Sequence, residues 1–343
     1  MTISVKPRFC PRCDSREIIK KGTRQNQYRL IQLYFCKSCL RYFTQIDIEK
    51  VKYPPTVILR SISLYNLGYT QEEVSHLIAV HHRLRVSRRT VADWVSRYRP
   101  ICSYHRLREQ ATKLYSPEHV IETHLFTHRQ VYAFKIHRAK LDLLASQLPE
   151  PIVNRLKEYL LRIPTDRFPH HIFAPREDEE SSPLNRSSQT RFATLAFVRL
   201  DKQNRANDLA ALGLILAKRS TDRHPCTQEF MLTNDSTTIA CEVPVYLTHD
   251  DILYFASRGF VVPLQNAATP ITGHIDFLQI RNRFIHILDY KPDADKINPV
   301  SQLTIYALAL ASRTKLPLMT FKCAWFDDKH YYEFFPLHAV YSR

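Results

Sequence analysis

The stretch ITGHIDFLQIRNRFIHILDYKP, residues 271–292, decides our prediction of the C-terminal fold. Two runs rich in β-branched and aromatic residues flank the polar residues Asn282 and Arg283, a pattern typical of a β-hairpin. With these two residues as the loop, Arg281 pairs with Phe284. Asn-Arg is a weaker turn signal than Asn-Gly, so a loop shifted by one residue is the alternative.

In this register two carboxylates lie directly opposite each other. Counting back from the loop pairs Asp276 with Asp289, and same-face partners on neighbouring antiparallel strands have Cβ atoms about 4.5–5.5 Å apart. Lys291 is two residues beyond Asp289 and therefore points to the same face. The hairpin thus predicts a cluster of two carboxylates and one amine.

A divalent cation would relieve the repulsion between two adjacent carboxylates. Mg²⁺ takes oxygen ligands and bridges to substrate phosphates, and a bound metal lowers the pKa of its water. Lys291 would then orient the attacking water or neutralise charge that develops on the phosphate. The cluster predicts metal-assisted phosphodiester hydrolysis. A purely structural cluster is the alternative that these residues alone leave open.

A predicted helix follows the hairpin and adds two polar residues. Asn298 and Pro299 have the form of a cap followed by proline in the first helical position, and Gln302 and Tyr306 are four apart and share a face. The ordered run G-x-x-D, D-Y-K and Q-x-x-x-Y resembles the PD-(D/E)XK nuclease superfamily, in particular its RecB-type branch. The resemblance implies an α/β nuclease domain, with a mixed sheet flanked by helices.

The resemblance also implies a role for each motif residue. Asp276 and Asp289 match the metal ligands, and Lys291 matches the catalytic lysine. Tyr290 would offer its backbone carbonyl to the metal, which would be Mg²⁺ or Mn²⁺. The helix residues that would contact substrate near the site are Gln302 and Tyr306.

The family usually has a further acidic or histidine ligand upstream, and the sequence leaves its identity open. The family's G-x-x-x-H form is missing from the predicted helix over residues 204–218. Asp208 on that helix and Glu242 in a strand-like run are the main candidates for this metal ligand. The other candidates are Glu229 and His249.

Two CxxC pairs near the N-terminus predict a structural zinc site. Of the eight cysteines in the chain, these pairs contain Cys10, Cys13, Cys36 and Cys39. Such pairs in an intracellular protein are typical of metal sites, and four thiolates suit tetrahedral zinc. A redox role for one pair is the alternative. With a strand over Tyr28–Phe35, residues 1–48 resemble the zinc ribbon that opens many insertion-sequence transposases.

Residues 49–113 predict a helix-turn-helix. Thr70–Glu73 has the form of a capping box at the start of one helix, and Ser87 caps a second, basic helix that ends near Arg99. This segment resembles the one that follows the zinc ribbon in the same transposases. The residues that we predict to contact DNA are Ser87, Arg88, Arg89, Thr90 and Arg97. An ordinary helical hairpin with exposed arginines is the alternative.

The positive charge is concentrated in the first third of the chain. Residues 1–113 hold 22 Lys and Arg against 8 Asp and Glu, so their net charge is 22 − 8 = +14, while the rest contributes 27 − 25 = +2 to the total of +16. This asymmetry is typical of a protein that binds a polyanion; a generic basic surface is the alternative. No apolar run approaches the roughly 20 residues of a membrane helix, so we expect DNA and no membrane as partner.

The rest of the chain predicts a connector and a linker. Apolar residues at helical spacing over 118–163 predict a helical connector, to which we assign residues 114–173. The polar segment 174–191, rich in proline and serine, predicts a linker to a nuclease domain over 192–343. Residues 1–7 have no apolar stretch of signal-peptide length, so we expect a cytoplasmic protein.

The predicted protein is multidomain: a zinc ribbon, an all-α helix-turn-helix, a helical connector and an α/β nuclease domain. We expect a Mg-dependent deoxyribonuclease, linked to a mobile element, DNA repair or defence. The transposase-like part favours endonuclease activity, and the RecB-type likeness also fits an exonuclease. The alternatives are a non-catalytic DNA-binding regulator with a degenerate nuclease fold, and a transposase. The oligomeric state is open, with a homodimer or a larger complex as candidates.

Overall fold

The structure, a computed structural model, describes most of the chain. The described residues are 10, 13, 15–25, 30–44, 53–128, 130–145, 148–163, 187, 200–201, 204–262 and 270–341. The chain divides into two compact units. The first takes in Met1–Tyr65, Tyr69–Arg97 and Leu214–Arg223, and the second Asn66–Gly68, Tyr98–Gly213 and His224–Arg343. None of the helices in the described ranges combines the length and the apolar character that a membrane crossing requires.

Three antiparallel strands accompany the N-terminal cysteines. They are β1 (Ile18–Gln25), β2 (Leu30–Cys36) and β3 (Tyr42–Thr44), and they lie side by side in the order β1-β2-β3. The predicted strand before the second CxxC pair is confirmed over its described part, because β2 ends at Cys36 itself. The small core of this sheet consists of Cys10, Ile18, Tyr34, Cys36 and Phe43.

Three helices follow the small sheet. They are α1 (Pro55–Leu67), α2 (Gln71–His82) and α3 (Arg88–Tyr98). Both predicted caps are confirmed. The Thr70 hydroxyl accepts a hydrogen bond from the Glu73 backbone N–H at 3.2 Å, and the Glu73 carboxylate accepts one from Thr70 N–H at 2.7 Å. The Ser87 hydroxyl accepts the Thr90 N–H at 3.1 Å.

The prediction of continuous helix over residues 118–163 is wrong in its first half. After α4 (His105–Leu114) come two antiparallel strands, β4 (Ile121–His128) and β5 (Gln130–His137). Helix resumes only at α5 (Arg138–Ala145) and α6 (Glu150–Arg162). Phe134 and Ile136 are two residues apart and both fully buried, which is the spacing of residues on one face of a strand. β5 also pairs with β7, so it lies inside the sheet. Residues 164–173 of the predicted connector lie outside the described part.

An eight-stranded mixed sheet organises the second unit. Its order is β4-β5-β7-β8-β9-β10-β11-β6. The strands not yet named are β6 (Leu200–Asp201), β7 (Thr238–Leu247), β8 (Ile271–Arg281), β9 (Phe284–Tyr290), β10 (Phe321–Phe326) and β11 (Tyr331–Phe334). β9 and β10 are parallel, and the other neighbours are antiparallel. The predicted mixed sheet with helices in the C-terminal part is therefore present.

The described residues of the C-terminal part form five further α-helices. They are α7 (Arg205–Leu216), α8 (Arg223–Asn234), α9 (His249–Ser257), α10 (Val300–Thr314) and α11 (Pro336–Val340). Helix α10 contacts β7, β8, β9 and β10, and nearly all of its residues are buried. Such a helix is apolar around most of its circumference because it lies in the core. The predicted linker 174–191 lies outside the described residues except for Ser187.

The β8–β9 hairpin has the predicted register. Arg281 pairs with Phe284, and the register continues without a shift to Phe277 and Leu288. The two loop residues, Asn282 and Arg283, both have positive φ (52° and 64°). This is the backbone of a type I′ turn, whose twist suits a two-residue hairpin. The turn therefore aligns the two strands so that Asp276, in the middle of β8, lies next to Asp289, near the end of β9.

Candidate active site

Three side chains from three elements converge at the end of this hairpin. They are His224 in the first turn of α8, Asp276 on β8 and Asp289 on β9, and one ligand atom from each lies within 4.8 Å of the others. The two carboxylates occupy the register position that follows the last hydrogen-bonded pair of the hairpin. His224 enters from a segment 52 residues away in sequence from Asp276. A metal ion could be held by these three side chains.

Asp276 is tied to two neighbouring elements by hydrogen bonds. Its Oδ2 accepts one from His224 Nε2 at 2.6 Å and another from the Tyr290 backbone N–H at 3.0 Å. The latter bond ties β9 to the carboxylate of β8. The backbone N–H of Tyr290 is thus part of the site, whereas a role for its carbonyl as a metal ligand stays a prediction.

Lys291 lies beside the second carboxylate, as the hairpin register predicts. Its Nζ is 2.8 Å from Asp289 Oδ2, and the Asp289 side chain is almost completely buried. The Lys291 backbone N–H donates to the Phe326 carbonyl at 2.9 Å. Because this bond fixes the residue to the end of the parallel strand β10, the ammonium group is anchored where it meets the carboxylate.

The charges in the cluster shift the pKa values of the carboxylates in opposite directions. Burial raises the pKa of Asp289, and the charge of Asp276 and a hydrogen bond with it raise that pKa further, against the attraction of Lys291. Burial also acts to raise the pKa of Asp276, but three neighbours lower this pKa below its ordinary value. They are His224, through its charge and hydrogen bond, Asp289, through a hydrogen bond, and Lys291, through its charge. Two carboxylates that cannot both ionise freely are a common arrangement at catalytic centres.

The imidazole of His224 is held in its charged form. Burial acts against this charge, but the nearby carboxylates Asp276, Glu242 and Asp289 raise the pKa of His224 to about 9. The surrounding carboxylates thus favour a positive charge at this position, and a divalent ion would supply such a charge. Since a metal must displace a proton to bind imidazole, His224 is a donor for which proton and metal compete.

Glu242 lies one strand away from the carboxylate pair. The pairs Cys241–Phe277 and Val243–Ile275 place it opposite Asp276 on the neighbouring strand β7. Its φ is 53°, in the left-handed region. Burial and the charge of Asp276 raise the pKa of Glu242 to about 7, against a hydrogen bond from Gln228 and the charge of His224.

The two predicted residues of the following helix are brought together and face the same region. Gln302 Nε2 donates to the Tyr306 hydroxyl at 2.9 Å, and both side chains are buried. Burial raises the pKa of Tyr306, and the charges of Asp289 and Asp276 raise it further. Tyr306 also meets Ser187 and Gly273 at close range. Gln302 and Tyr306 therefore lie near the carboxylate pair, as the resemblance implies.

The other candidates for the further ligand lie elsewhere. Asp208 is exposed on α7, and His249 is exposed at the start of α9. Glu229 is exposed and pairs with Lys135 at 3.6 Å. Within the described part of the chain, none of these three belongs to the group formed by His224 and the two aspartates.

His224 is the member of the site that sequence reasoning missed. A usable signal exists: His224 and Gln228 are four residues apart, which places two polar side chains on one face at the start of a helix. We instead expected the further ligand mainly at Asp208 on the preceding helix, α7, or at Glu242 on β7. The four-residue spacing of His224 and Gln228 does not show that α8 packs against β8.

The four N-terminal cysteines form the second cluster. Cys10 Sγ and Cys39 Sγ are 3.6 Å apart, as are Cys13 Sγ and Cys36 Sγ, and all four sulfur atoms lie within 4.8 Å of one another. Thiolates at about 2.3 Å from a tetrahedral zinc stand about 3.8 Å apart. The spacing fits, so the cluster can bind one zinc ion.

The predicted DNA-contacting residues lie at and after the start of α3. Arg88, Arg89 and Arg97 are exposed, while Trp94 and Val95 on the opposite side are buried. The hydroxyls of the two non-basic residues, Ser87 and Thr90, are 2.8 Å apart at the cap. The helix thus presents guanidinium groups to solvent, and contact of these residues with DNA stays a prediction.

Comparison with known proteins gives no match from which a function could be assigned. No family model matches the sequence. No curated protein and no solved structure matches it either.

Proposed function

We propose that this chain is a metal-dependent deoxyribonuclease that hydrolyses phosphodiester bonds at the His224–Asp276–Asp289 cluster. The observation that carries the proposal is the convergence of two buried carboxylates and one imidazole within reach of a single ion, beside Lys291. Two adjacent buried carboxylates repel each other and are costly to bury unless a cation balances them, which favours a metal-binding role. The motif order that resembles PD-(D/E)XK nucleases supports the same chemistry.

The donor set fits a divalent metal. Carboxylates suit Mg²⁺ and Mn²⁺, and an imidazole ligand moves the preference toward Mn²⁺, because Mg²⁺ is held mainly by oxygen. When bound, such an ion polarises a phosphoryl oxygen and makes a water molecule acidic enough to attack. The residues that would hold it are His224, Asp276 and Asp289.

The chain's own residues supply the remaining functions. Lys291 Nζ, 2.8 Å from Asp289, is placed to orient the attacking water or to stabilise negative charge on the phosphate. The hydrogen bond from Gln302 fixes the hydroxyl of Tyr306 close to the carboxylates, where it can contact the sugar-phosphate backbone. The backbone N–H of Tyr290 holds Asp276 in orientation.

Delivery to DNA would come from the N-terminal part. The zinc ribbon and the helix-turn-helix together account for the net charge of +14 over residues 1–113, and the arginines at the start of α3 are exposed. Positively charged segments of this kind bind the phosphate backbone and concentrate the enzyme on its substrate. We propose DNA as the partner and the cytoplasm as the site of action.

Plasmid cleavage tests the proposal directly. The full chain should nick supercoiled plasmid in the presence of Mn²⁺ or Mg²⁺, and Asp289→Ala and Lys291→Ala should each remove the nicking. Asp250→Asn and Lys296→Ala delete the same charges at exposed positions of the C-terminal part and serve as matched controls that should keep wild-type activity. Equal cutting by wild type and the Asp289→Ala variant would mean that the cluster is not the active site.

The form of the products separates the related activities. Conversion of a closed circle to nicked and linear forms indicates an endonuclease, whereas degradation of linear DNA alone indicates an exonuclease. Joining of labelled donor ends to the plasmid would favour a transposase. A DNA-binding regulator with a degenerate site gains support only if the further ligand is missing, and His224 is our proposal for that ligand.

A further inference from the structure

Gln228 joins two strands of the sheet at the active site. It lies one turn after His224 on α8, and its side chain is buried. Its Nε2 donates to Glu242 Oε1 at 2.6 Å and lies 3.4 Å from the backbone carbonyl of Asp276. One amide therefore contacts the carboxylate of β7 and the backbone of β8 at the level of the metal-binding group.

The residue that Gln228 holds has a strained backbone. Glu242 has a φ of 53°, a value that residues with a side chain rarely adopt inside a strand. Such conformations persist where contacts with the surrounding structure enforce them, and they cluster at functional sites. The short hydrogen bond from Gln228 is one such constraint, because it fixes the carboxylate to which this backbone leads.

Glu242 in turn faces the imidazole of His224. Glu242 Oε1 is 3.8 Å from His224 Nδ1, while His224 Nε2 is bonded to Asp276 at 2.6 Å. A histidine that binds a metal through one nitrogen almost always gives its other N–H to a carboxylate or carbonyl, which fixes the ring and its tautomer. Glu242 is a carboxylate on that side of the ring, and at 3.8 Å it is in ion-pair contact with Nδ1 but beyond hydrogen-bond distance.

We infer that Gln228 is a positioning residue, which acts through Glu242 to orient the His224 ring toward the Asp276–Asp289 pair. The inference rests on the proposed function, because it concerns the ion that these residues would hold. It assigns Glu242 to the support of a ligand. Removal of Gln228 should therefore weaken metal binding although Gln228 offers no donor atom to the metal.

The chain provides a matched control. Gln279 on β8 is a second buried glutamine whose Nε2 donates to a carboxylate, Asp235 Oδ2, at 3.2 Å, and it also donates to Thr238 at 3.0 Å. It belongs to the same sheet, but its partners are not members of the metal-binding group. Gln279→Leu and Gln228→Leu remove the same group from similar surroundings, so a general loss of packing affects both.

The test measures Mn²⁺ binding by the zinc-loaded full chain, from the electron paramagnetic resonance signal of free Mn²⁺. Wild type should bind one ion that Asp289→Ala removes. Gln228→Leu should weaken binding by roughly 10-fold to 100-fold, as is usual for residues that orient ligands. Gln279→Leu should stay close to wild type in affinity, even where its melting temperature falls.

A double-mutant cycle decides whether Gln228 acts through Glu242. If it does, Gln228→Leu combined with Glu242→Gln binds Mn²⁺ no more weakly than Glu242→Gln alone. Wild-type affinity of Gln228→Leu, or fully additive losses in the double variant, would overturn the inference while leaving the nuclease proposal standing. Absence of any Mn²⁺ site that depends on Asp289 would instead overturn the proposed function itself, and the inference with it.

Discussion

At the scale of single residues, Gly273 decides how closely α10 approaches the candidate site. A Cβ at this position would lie 2.5 Å from Ser187 Oγ and would collide with the ring of Tyr306. The first residue of the G-x-x-D run is therefore glycine because a side chain has no space there. Its φ is not in the left-handed region, so backbone conformation does not require glycine.

Gly273→Ala should lower the nicking rate by displacing Tyr306. Small displacements of groups that position substrate cost roughly 10-fold to 100-fold in rate, whereas overpacking of this size costs about 1–3 kcal/mol in stability. The measurements are the single-turnover nicking rate at saturating Mn²⁺ and the melting temperature. Tyr306→Phe, which keeps the ring and removes the hydroxyl, separates loss of the hydroxyl from displacement of the ring. Unchanged nicking by Gly273→Ala would show that the position of Tyr306 is unimportant.

Lys140 is a buried amine outside the candidate site, and it predicts a pH dependence of stability. The side chain is fully buried, its Nζ donates to the Leu232 carbonyl and lies 4.8 Å from the centre of the Tyr104 ring. Burial lowers the pKa of Lys140 to about 7, against the charge of Asp235. The unfolded chain binds a proton more tightly than the folded one over the interval from about pH 7 to the ordinary lysine value.

The free energy of unfolding of the wild-type protein should therefore rise with pH across this interval and fall as the pH drops to 7. Each pKa unit corresponds to about 1.4 kcal/mol. As the pH falls from 10 to 7, the free energy of unfolding of Lys140→Met should therefore increase by a few kcal/mol relative to that of wild type. Denaturant unfolding of both proteins at several pH values measures this difference. Lys113→Met removes an exposed ammonium and provides the reference slope. A stability difference between wild type and Lys140→Met that stays constant from pH 7 to 10 would contradict the prediction.

Local patterns predicted the residues of the site only where these are neighbours in the chain or in one hairpin, while Gln302 and Tyr306 were predicted from the resemblance to PD-(D/E)XK nucleases. Asp276, Asp289 and Lys291 follow from a period of two and a two-residue loop, both of which are local properties. His224 reaches the same site from another element, and its contact with Asp276 depends on how α8 packs. Packing between distant elements leaves no periodic trace in the sequence.

At the scale of elements, the hairpin turn sets the register that aligns the carboxylates. Both loop residues have positive φ, and Arg283 adopts 64° although its Cβ makes a left-handed backbone costly. Glycine adopts this conformation without steric cost. A glycine in the turn should therefore stabilise the pairing of β8 with β9.

Arg283→Gly should raise the stability of the second unit by about 0.5–1 kcal/mol, because relief of the left-handed backbone exceeds the added flexibility of the unfolded chain. Thermal unfolding followed by circular dichroism measures the effect. Arg281→Gly, which places glycine in extended backbone at the last residue of β8, should instead destabilise the protein. Equal loss in both variants would show that the turn residue is not strained.

The elements themselves were predictable to different degrees. The caps at Thr70 and Ser87 and the hairpin loop lie within a few residues of the groups that they bond, and all three are confirmed. The helix prediction over β4 and β5 is wrong because the apolar residues of these strands also fit helical spacing. Their strand pairing is completed by β7, where Lys135 pairs with Cys241 more than a hundred residues later, and such a partner is invisible to local pattern.

At the scale of the whole molecule, the two candidate metal sites lie in different units, and the positive charge is concentrated in the first unit. The first unit contains the four cysteines and most of the excess positive charge, and the second contains the carboxylate cluster. The proposed functions of binding and cutting DNA therefore depend on different metals, one held by sulfur and one by oxygen and nitrogen donors.

Loss of the zinc site should impair DNA binding and spare the Mn²⁺ site. Cys36→Ser removes one of four ligands and a buried member of the small core of the first unit, so zinc content by mass spectrometry should fall from one ion per chain to a small fraction. DNA affinity should drop, because small zinc domains lose their fold with the metal. Cys323→Ser, a buried cysteine of the second unit, is the matched control that should keep the zinc. Full zinc content in Cys36→Ser would contradict the four-cysteine site.

The arginines of α3 should determine how DNA binding responds to salt. Each phosphate contact releases counterions and contributes about 0.9 to the slope of log affinity against log salt concentration, so the double variant Arg88→Ala and Arg89→Ala should lower that slope by about 1.8. Fluorescence anisotropy with labelled duplex at several salt concentrations measures it. Arg258→Ala removes an exposed charge from the second unit, where the net charge is small, and should leave the slope unchanged. At saturating DNA the double variant should still nick plasmid, because the proposed metal-binding cluster is intact. A slope that stays at the wild-type value would mean that DNA is bound elsewhere on the chain.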